Sequence, residues 1–266
     1  MCSWSDMMQG KLNSLLPAVQ ERGCAVSVGS FDGPHLGHEA LVQCLLAQAA
    51  YVPGVATFMV PPRFARLACR DGTVISSLEQ RLEWFEKAGL AFAVLIDFSP
   101  EFSKMNGKDF LSMLLQACRV RFITEGSDFR FGYNGSCGTA DMYRFAQEQN
   151  IAFCVPAEVL YEQERISSSR IRAAIATGNF SLVTALLGRP FALDCRRMLW
   201  ARTAEQLYSC LPFEQILPKD GEYAASLHLK NGTVIDSVAV VENGIVRVPI
   251  HSCNDGQYIG TIQFVP

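Results

Sequence analysis

Gly29-Ser30-Phe31-Asp32-Gly33-Pro34-His35-Leu36-Gly37-His38 follows directly on Cys24–Gly29 (CAVSVG), a short apolar run that reads as a buried strand. Beyond it, His38–Tyr51 carries Leu41, Val42, Leu45 and Leu46 at helical spacing, so a helix is expected to start near His38. A strand that enters a Gly/Pro turn and leaves as a helix puts His35 and His38 at the C-terminal edge of a sheet, beside a helix N-terminus. Open α/β sheets bind ligands at such edges. Unpaired backbone N–H groups and the helix dipole favour phosphate there. Gly33 and Gly37 let an anion come close to the backbone, and two imidazoles can donate hydrogen bonds to phosphate oxygens as charge builds up. Three other readings compete. His-x-x-His is half a zinc site, but no third ligand has a suitable spacing. The pair can be incidental to a structural turn. Dinucleotide binding through Gly-x-Gly-x-x-Gly is disfavoured because the glycines are spaced differently.

Working outward, Gly54–Phe58, Phe92–Ile96, Val120–Thr124 and Ile151–Val155 read as further strands. Two overlapping capping boxes, Ser76–Glu79 and Ser77–Gln80, open a helix that Gly89 closes. Lys108–Cys118 and a segment near Ala140–Gln149 supply more helices. Repeated β-α-β units of this spacing predict an α/β, Rossmann-like domain, a parallel sheet with helices on both faces. The texture changes after Leu187-Gly188-Arg189-Pro190, where Gly188 suits a helix cap and Pro190 blocks continuation. Past a linking stretch, Tyr223–Leu229, Thr233–Val241, Ile245–Ile250 and Tyr258–Val265 alternate with Asn231-Gly232, Asn243-Gly244 and Asp255-Gly256, dipeptides that tolerate tight hairpins. The expected organisation is therefore a nucleotide-binding domain over 1–189 and a small antiparallel β module over 190–266.

Composition narrows the function classes. Hydrophobic residues make up 49% and charged residues 18% of the 266, enough for a sizeable core. A net charge of −3 carries no electrostatic footprint for nucleic acid. No apolar run approaches membrane-spanning length, and Met1–Gly10 carries Asp6 and no basic cluster ahead of an apolar block, unlike a secretory leader. The ten cysteines are scattered with no Cys-x-x-Cys, which predicts free thiols in a reducing cytoplasm and no zinc knuckle.

Phe31-Asp32-Gly33-Pro34-His35-Leu36-Gly37-His38 after a strand resembles the nucleotidylyltransferase signature, and more narrowly that of bacterial FAD synthetases. Further segments resemble that family in order: Leu78–Gly89 followed by Asp97-Phe98-Ser99, the loop Gly126-Ser127-Asp128-Phe129-Arg130-Phe131-Gly132, the segment Ile166-Ser167-Ser168-Ser169-Arg170-Ile171-Arg172, and the junction Leu187-Gly188-Arg189-Pro190-Phe191. The likeness covers about residues 20–191. It implies transfer of AMP from ATP to FMN, giving FAD and pyrophosphate. His35 and His38 would stabilise charge on the transferring phosphate, with Ser167, Ser168 and Arg172 on the β- and γ-phosphates and Mg²⁺ arriving with ATP. Adenine would lie near Gly29, Ser30, Phe31 and Gly126, with Asp32 and Gly37 also at the ATP site, and the flavin ring near Phe58, Pro62, Asp128 and Phe131. The residues allow plainer readings as well: Ser168 or Ser169 can cap a helix over Arg170–Thr177, and Phe129 and Phe131 can be core.

Two departures bear on function. The family's flavin loop usually reads Thr-Phe-acidic-Pro-x-Pro, whereas this chain has Thr57-Phe58-Met59-Val60-Pro61-Pro62. Bifunctional members carry a riboflavin kinase module marked by Gly-Phe-Pro-Thr-Ala-Asn, a tract absent here, although Leu217–Tyr223 resembles a later part of that module. The tail thus reads as a trimmed, kinase-inactive remnant. His228 and His251 in the tail have no motif around them and read as surface or packing residues.

Overall fold

In β2 (Cys24–Gly29) successive side chains belong to two different cores. Cys24, Val26 and Val28 pack in one cluster, with Val19, Leu111, Leu114 and Met142, while Ala25 packs in another, with Phe31, Leu41, Leu45 and Phe85. That is the period-2 alternation of a strand covered on both faces. The structure is a computed structural model and describes residues 2–3, 16–62, 74–203, 205–209, 213–249 and 259–266. The expected readings of His251 and Asp255-Gly256 lie outside them.

The described chain runs β1 (Cys2–Ser3), α1 (Pro17–Arg22), β2, α2 (Leu36–Leu46), β3 (Val52–Phe58), α3 (Leu78–Lys87), β4 (Phe92–Ile96), α4 (Gly107–Cys118), β5 (Val120–Thr124), α5 (Thr139–Glu148), β6 (Ala152–Cys154), β7 (Leu160–Tyr161), β8 (Glu164–Arg165), α6 (Ser168–Thr177) and α7 (Phe180–Leu187). It continues through β9 (Ala192–Asp194), β10 (Trp200–Arg202), β11 (Gln206–Ser209), β12 (Gly221–Leu229), β13 (Val234–Glu242), β14 (Ile245–Pro249) and β15 (Ile259–Phe264). Two compact units emerge: one of Met1–Phe31, Gly37–Arg66 and Leu82–Val159, the other of Asp32–Leu36, Leu67–Arg81 and Leu160–Pro266.

The first unit holds a six-stranded parallel sheet in the order β1-β4-β3-β2-β5-β6. From β2 the chain steps outward through β3 and β4, then returns to place β5 and β6 on the other side. The reversal falls between β2 and β5, where open α/β sheets bind ligands. The β2–β5 ladder stops at Val26–Ile123, and the amide of Val28 donates instead to the Glu125 carboxyl, at 2.6 Å.

The second unit holds a seven-stranded antiparallel sheet, β10-β11-β14-β13-β12-β15-β9. Four strands were expected. The three additional ones, β9, β10 and β11, are three or four residues long and sit in the stretch read as a linker, too short to show a period. Helices α6 and α7 belong to this unit for a physical reason: the Phe180 ring stacks on Phe264 at 4.4 Å between centroids, and Tyr223 meets both edge-on. Phe180, Phe191 and Phe264 are all buried, each worth about 1.5–3 kcal/mol of apolar transfer. His228 lies on β12 with Nε2 at 3.4 Å from the Ser226 hydroxyl.

Helix boundaries correct two expectations. Helix α2 starts at Leu36, two residues earlier than expected, so His35 stands just before it and His38 in its first turn. Helix α6 starts at Ser168 and is capped by Ser167, whose Oγ accepts from the Arg170 amide at 3.2 Å; neither Ser168 nor Ser169 is the cap. The capping box on α3 forms as read, with the Gln80 amide donating to Ser77 Oγ and the Ser77 amide to Gln80 Oε1.

Candidate active site

In the first unit, the C-terminal ends of β2 and β3 open onto a cavity of about 750 Å³, a size usual for small-molecule sites. Of the expected residues, Gly29, Ser30, Phe58, Pro62 and Phe131 line it. Phe98, Phe102, Met105 and Phe110 line it too and were not anticipated; the spacing of Phe98 and Phe102, four residues apart ahead of α4, was the available signal. The aromatic rings meet edge to face, Phe58 against Phe98 at 5.7 Å and Phe102 against Phe110 at 5.9 Å. Phe129 and Phe131 stack at 5.4 Å. Such a wall suits a flat aromatic ligand. Asp128 is exposed and not among the lining residues, and Gly126 serves the loop by accepting the Phe129 amide at 3.0 Å.

Phe31 adopts φ +46°, a backbone conformation rare for a bulky residue. Its ring is buried, 5.1 Å from the His38 ring and edge-on to Phe85. The side chain therefore backs His38, and any contact of Phe31 with a ligand falls to its main chain.

In the second unit, the turn Asp32–His35 is held through Asp32 and Pro34. Asp32 is 2% exposed; its Oδ1 accepts the amides of Ile75 (2.8 Å) and Ser76 (3.2 Å), and its Oδ2 pairs with the Arg172 guanidinium. The Ser168 hydroxyl donates to the Asp32 carbonyl at 2.8 Å, and Arg189 donates to the Pro34 carbonyl at 2.6 Å. Gly33 has φ +62°, and a Cβ there would meet Ile75 at 2.4 Å, so packing as well as conformation requires glycine. His35 is buried, while Gly37 and His38 are half-buried. Asp32 thus serves as the partner of Arg172. A guanidinium has five N–H donors, more than one carboxylate can use, so Arg172 can hold Asp32 and an anion together.

Glu125, one residue past β5, is fully buried, and desolvation pushes its carboxyl well above the usual range against the opposing hydrogen bonds from Val28 and Ser27. A raised folded-state pKa means that this group's stabilisation is complete below the ordinary glutamate value and is lost as pH rises through the raised one. Between the two values stability falls by about 1.4 kcal/mol per pH unit from this group. Glu125→Gln keeps an acceptor for Val28 and removes the charge. Its melting temperature is expected to exceed that of the natural protein by a margin that widens from pH 6 to pH 8. A constant margin in thermal unfolding over that range rules this out.

Among the described residues no group of three or more His, Cys, Asp or Glu gathers to hold a metal ion, and no helix is long and apolar enough to cross a membrane. Cys24, Cys44, Cys118, Cys137, Cys154 and Cys195 are free thiols.

The Gly29–His38 stretch follows β2 directly, and α6 brings Arg172 to Asp32 within it. The FAD synthetase family model matches residues 18–170, and the chain belongs to that family. It is 27% identical over 232 residues to the bifunctional riboflavin kinase/FMN adenylyltransferase of Haemophilus influenzae, covering 82% of this chain and 73% of that protein. It is 30% identical over 190 residues to the protein of the same name from Escherichia coli, covering 70% of this chain and 60% of the relative. A solved structure, a macrolide-efflux protein from Streptococcus pneumoniae, matches with a TM-score of 0.77 at 24% identity, covering 91% of this chain and 83% of that one, which speaks for the fold alone.

Proposed function

We propose that the protein is an FMN adenylyltransferase: an oxygen of the FMN phosphate attacks the α-phosphorus of ATP in line, the α–β phosphoanhydride bond breaks, and FAD and pyrophosphate leave. The observation that carries this reading is the aromatic cavity lined by Gly29 and Ser30, the residues from which the chain passes directly into the histidine turn. Membership of the family and the relatives' names supply the substrate pair. Both reactants are anionic and no covalent enzyme intermediate is needed, so positioning and charge neutralisation do the catalytic work. His35 and His38 donate to the transferring phosphate. Arg172 and the first turn of α6, at Ser167 and Ser168, hold the β- and γ-phosphates, and Asp32 orients Arg172. Phe58, Pro62, Phe131 and their aromatic neighbours receive the flavin ring, with Asp128 contributing from the loop between β5 and α5, while Gly29, Ser30, Phe31, Asp32, Gly37 and Gly126 serve the ATP end. Mg²⁺ enters as part of Mg·ATP, on the nucleotide's own oxygens. The free thiols fit a cytoplasmic enzyme.

The tail is read as lacking riboflavin kinase activity, on the missing Gly-Phe-Pro-Thr-Ala-Asn tract. The relatives are named as bifunctional, which makes riboflavin phosphorylation the second reading. Incubation of the purified protein with Mg·ATP and either FMN or riboflavin, followed by chromatography, separates them. FAD from FMN with riboflavin untouched is expected. FMN or FAD made from riboflavin overturns the single-activity reading, and no product from FMN overturns the assignment itself.

A further inference from the structure

The Asp32–Arg172 pair is held from a distance. Asp32 grips the amides of Ile75 and Ser76, but this short segment is itself clamped by residues of the tail. Val74 forms a parallel bridge with Gln215, flanked by hydrogen bonds from the Val74 amide to the Glu214 carbonyl (3.1 Å) and from the Ile216 amide to the Val74 carbonyl (2.8 Å). The Gln215 side chain is 2% exposed and fully engaged. Its Nε2 donates to the Ile75 carbonyl at 2.8 Å, to the Ala192 carbonyl at 3.0 Å and to Gln80 Oε1 at 3.1 Å, and its Oε1 accepts the Asp194 amide at 2.6 Å. One buried amide thus bonds the far side of the peptide whose near side holds Asp32, and anchors it to strand β9 of the antiparallel sheet. A buried amide can be removed only by leaving several main-chain groups unsatisfied.

We propose that Gln215 is a positioning residue for the nucleotide end of the site, acting through Ile75, Asp32 and Arg172 in turn, and that holding this chain in register is what the antiparallel module does for adenylyl transfer. The inference rests on the proposed function only in taking ATP as the anion that Arg172 meets. The residues that line the aromatic cavity all belong to the other unit, so flavin binding should be indifferent to Gln215.

The test is calorimetric titration of Mg·ATP, and separately of FMN, into four full-length forms: natural, Gln215→Ala, Arg172→Ala and the double variant. Arg172→Ala is expected to weaken Mg·ATP binding by about 10- to 100-fold, the range of lost hydrogen bonds to charged groups. Gln215→Ala should weaken it roughly tenfold with FMN affinity within about twofold, and in the Arg172→Ala background it should add less than about twofold, as expected of residues acting through one another. Gln215→Met keeps the volume without the hydrogen bonds and replaces the alanine variant should that one not fold. An undiminished effect without Arg172, equal losses for ATP and FMN, or unchanged ATP affinity each overturns the proposal, as does a natural protein that binds no Mg·ATP. Tight, Gln215-dependent ATP binding in a protein that forms no FAD would uphold this inference while refuting the adenylyltransferase reading.

Discussion

Arg172→Ala is expected to lower stability and turnover together, and the two losses can be pulled apart. Arg172 neutralises a carboxylate 2% exposed, and removing one partner of a buried pair costs about 3–5 kcal/mol. The melting temperature should drop by roughly 10 °C on the usual scaling for a protein this size. Adding Asp32→Asn removes the stranded charge while its side-chain oxygen still accepts from Ile75 and Ser76, so most of the lost stability returns. FAD formation does not return and stays down by about 10²- to 10³-fold. Thermal unfolding and the chromatographic FAD assay, run on the single and double variants, check both halves. A single variant that melts like the natural protein, or a double variant with normal turnover, contradicts the assigned geometry.

His38→Ala is expected to lower kcat by about 10²- to 10³-fold, the usual cost of one donor to a charge that grows in the transition state. The fold should barely notice. His38 is half-buried on α2, and its ring contact with Phe31 accounts for about 0.5–1.5 kcal/mol. KM for FMN should stay within about twofold, because uniform binding is untouched when a transition-state contact is lost. His38→Gln, which keeps a side-chain N–H donor, should recover part of the rate. Steady-state kinetics at saturating Mg·ATP decide the matter: a folded alanine variant with near-natural kcat removes His38 from the mechanism.

The parallel sheet was readable because its strands are continuous apolar runs: β2, β4 and β5 lie where Cys24–Gly29, Phe92–Ile96 and Val120–Thr124 place them. The histidine turn was readable because glycine, proline and imidazole types are chemically loud at short range. Short elements escaped. Strands β9 to β11 are too brief for periodicity, and β9 and β11 pair with β15 and β14, far along the chain. Gln215 had no local signal, since its role depends on backbone groups at Ile75, Ala192 and Asp194 that only the fold brings together. The aromatic cavity was half visible: Phe58, Pro62 and Phe131 were expected at the flavin ring, while Phe102 and Phe110, which also line the cavity, carry no motif of their own. Ser168 was read as a candidate helix cap, a place that Ser167 takes, and its hydroxyl meets the Asp32 carbonyl, a contact spanning 136 residues.

Such spans set the order in which a growing chain can take shape. The partners of the Asp32–Pro34 turn come 43 residues later at Ile75, 136 at Ser168, 140 at Arg172 and 155 at Arg189. The sheet that clamps Ile75 includes β15, which pairs with β12 and β9. Strands β2 to β6 end at Cys154, so all of them are present in the chain before Ser168, Arg172 and Arg189 are made. During synthesis the contacts of the histidine turn are therefore completed later than the strands of the parallel sheet are made. The residues that line the aromatic cavity, from Val28 to Gly135, are likewise all made before Ser168, Arg172 and Arg189, the partners that fix the Asp32–Pro34 turn.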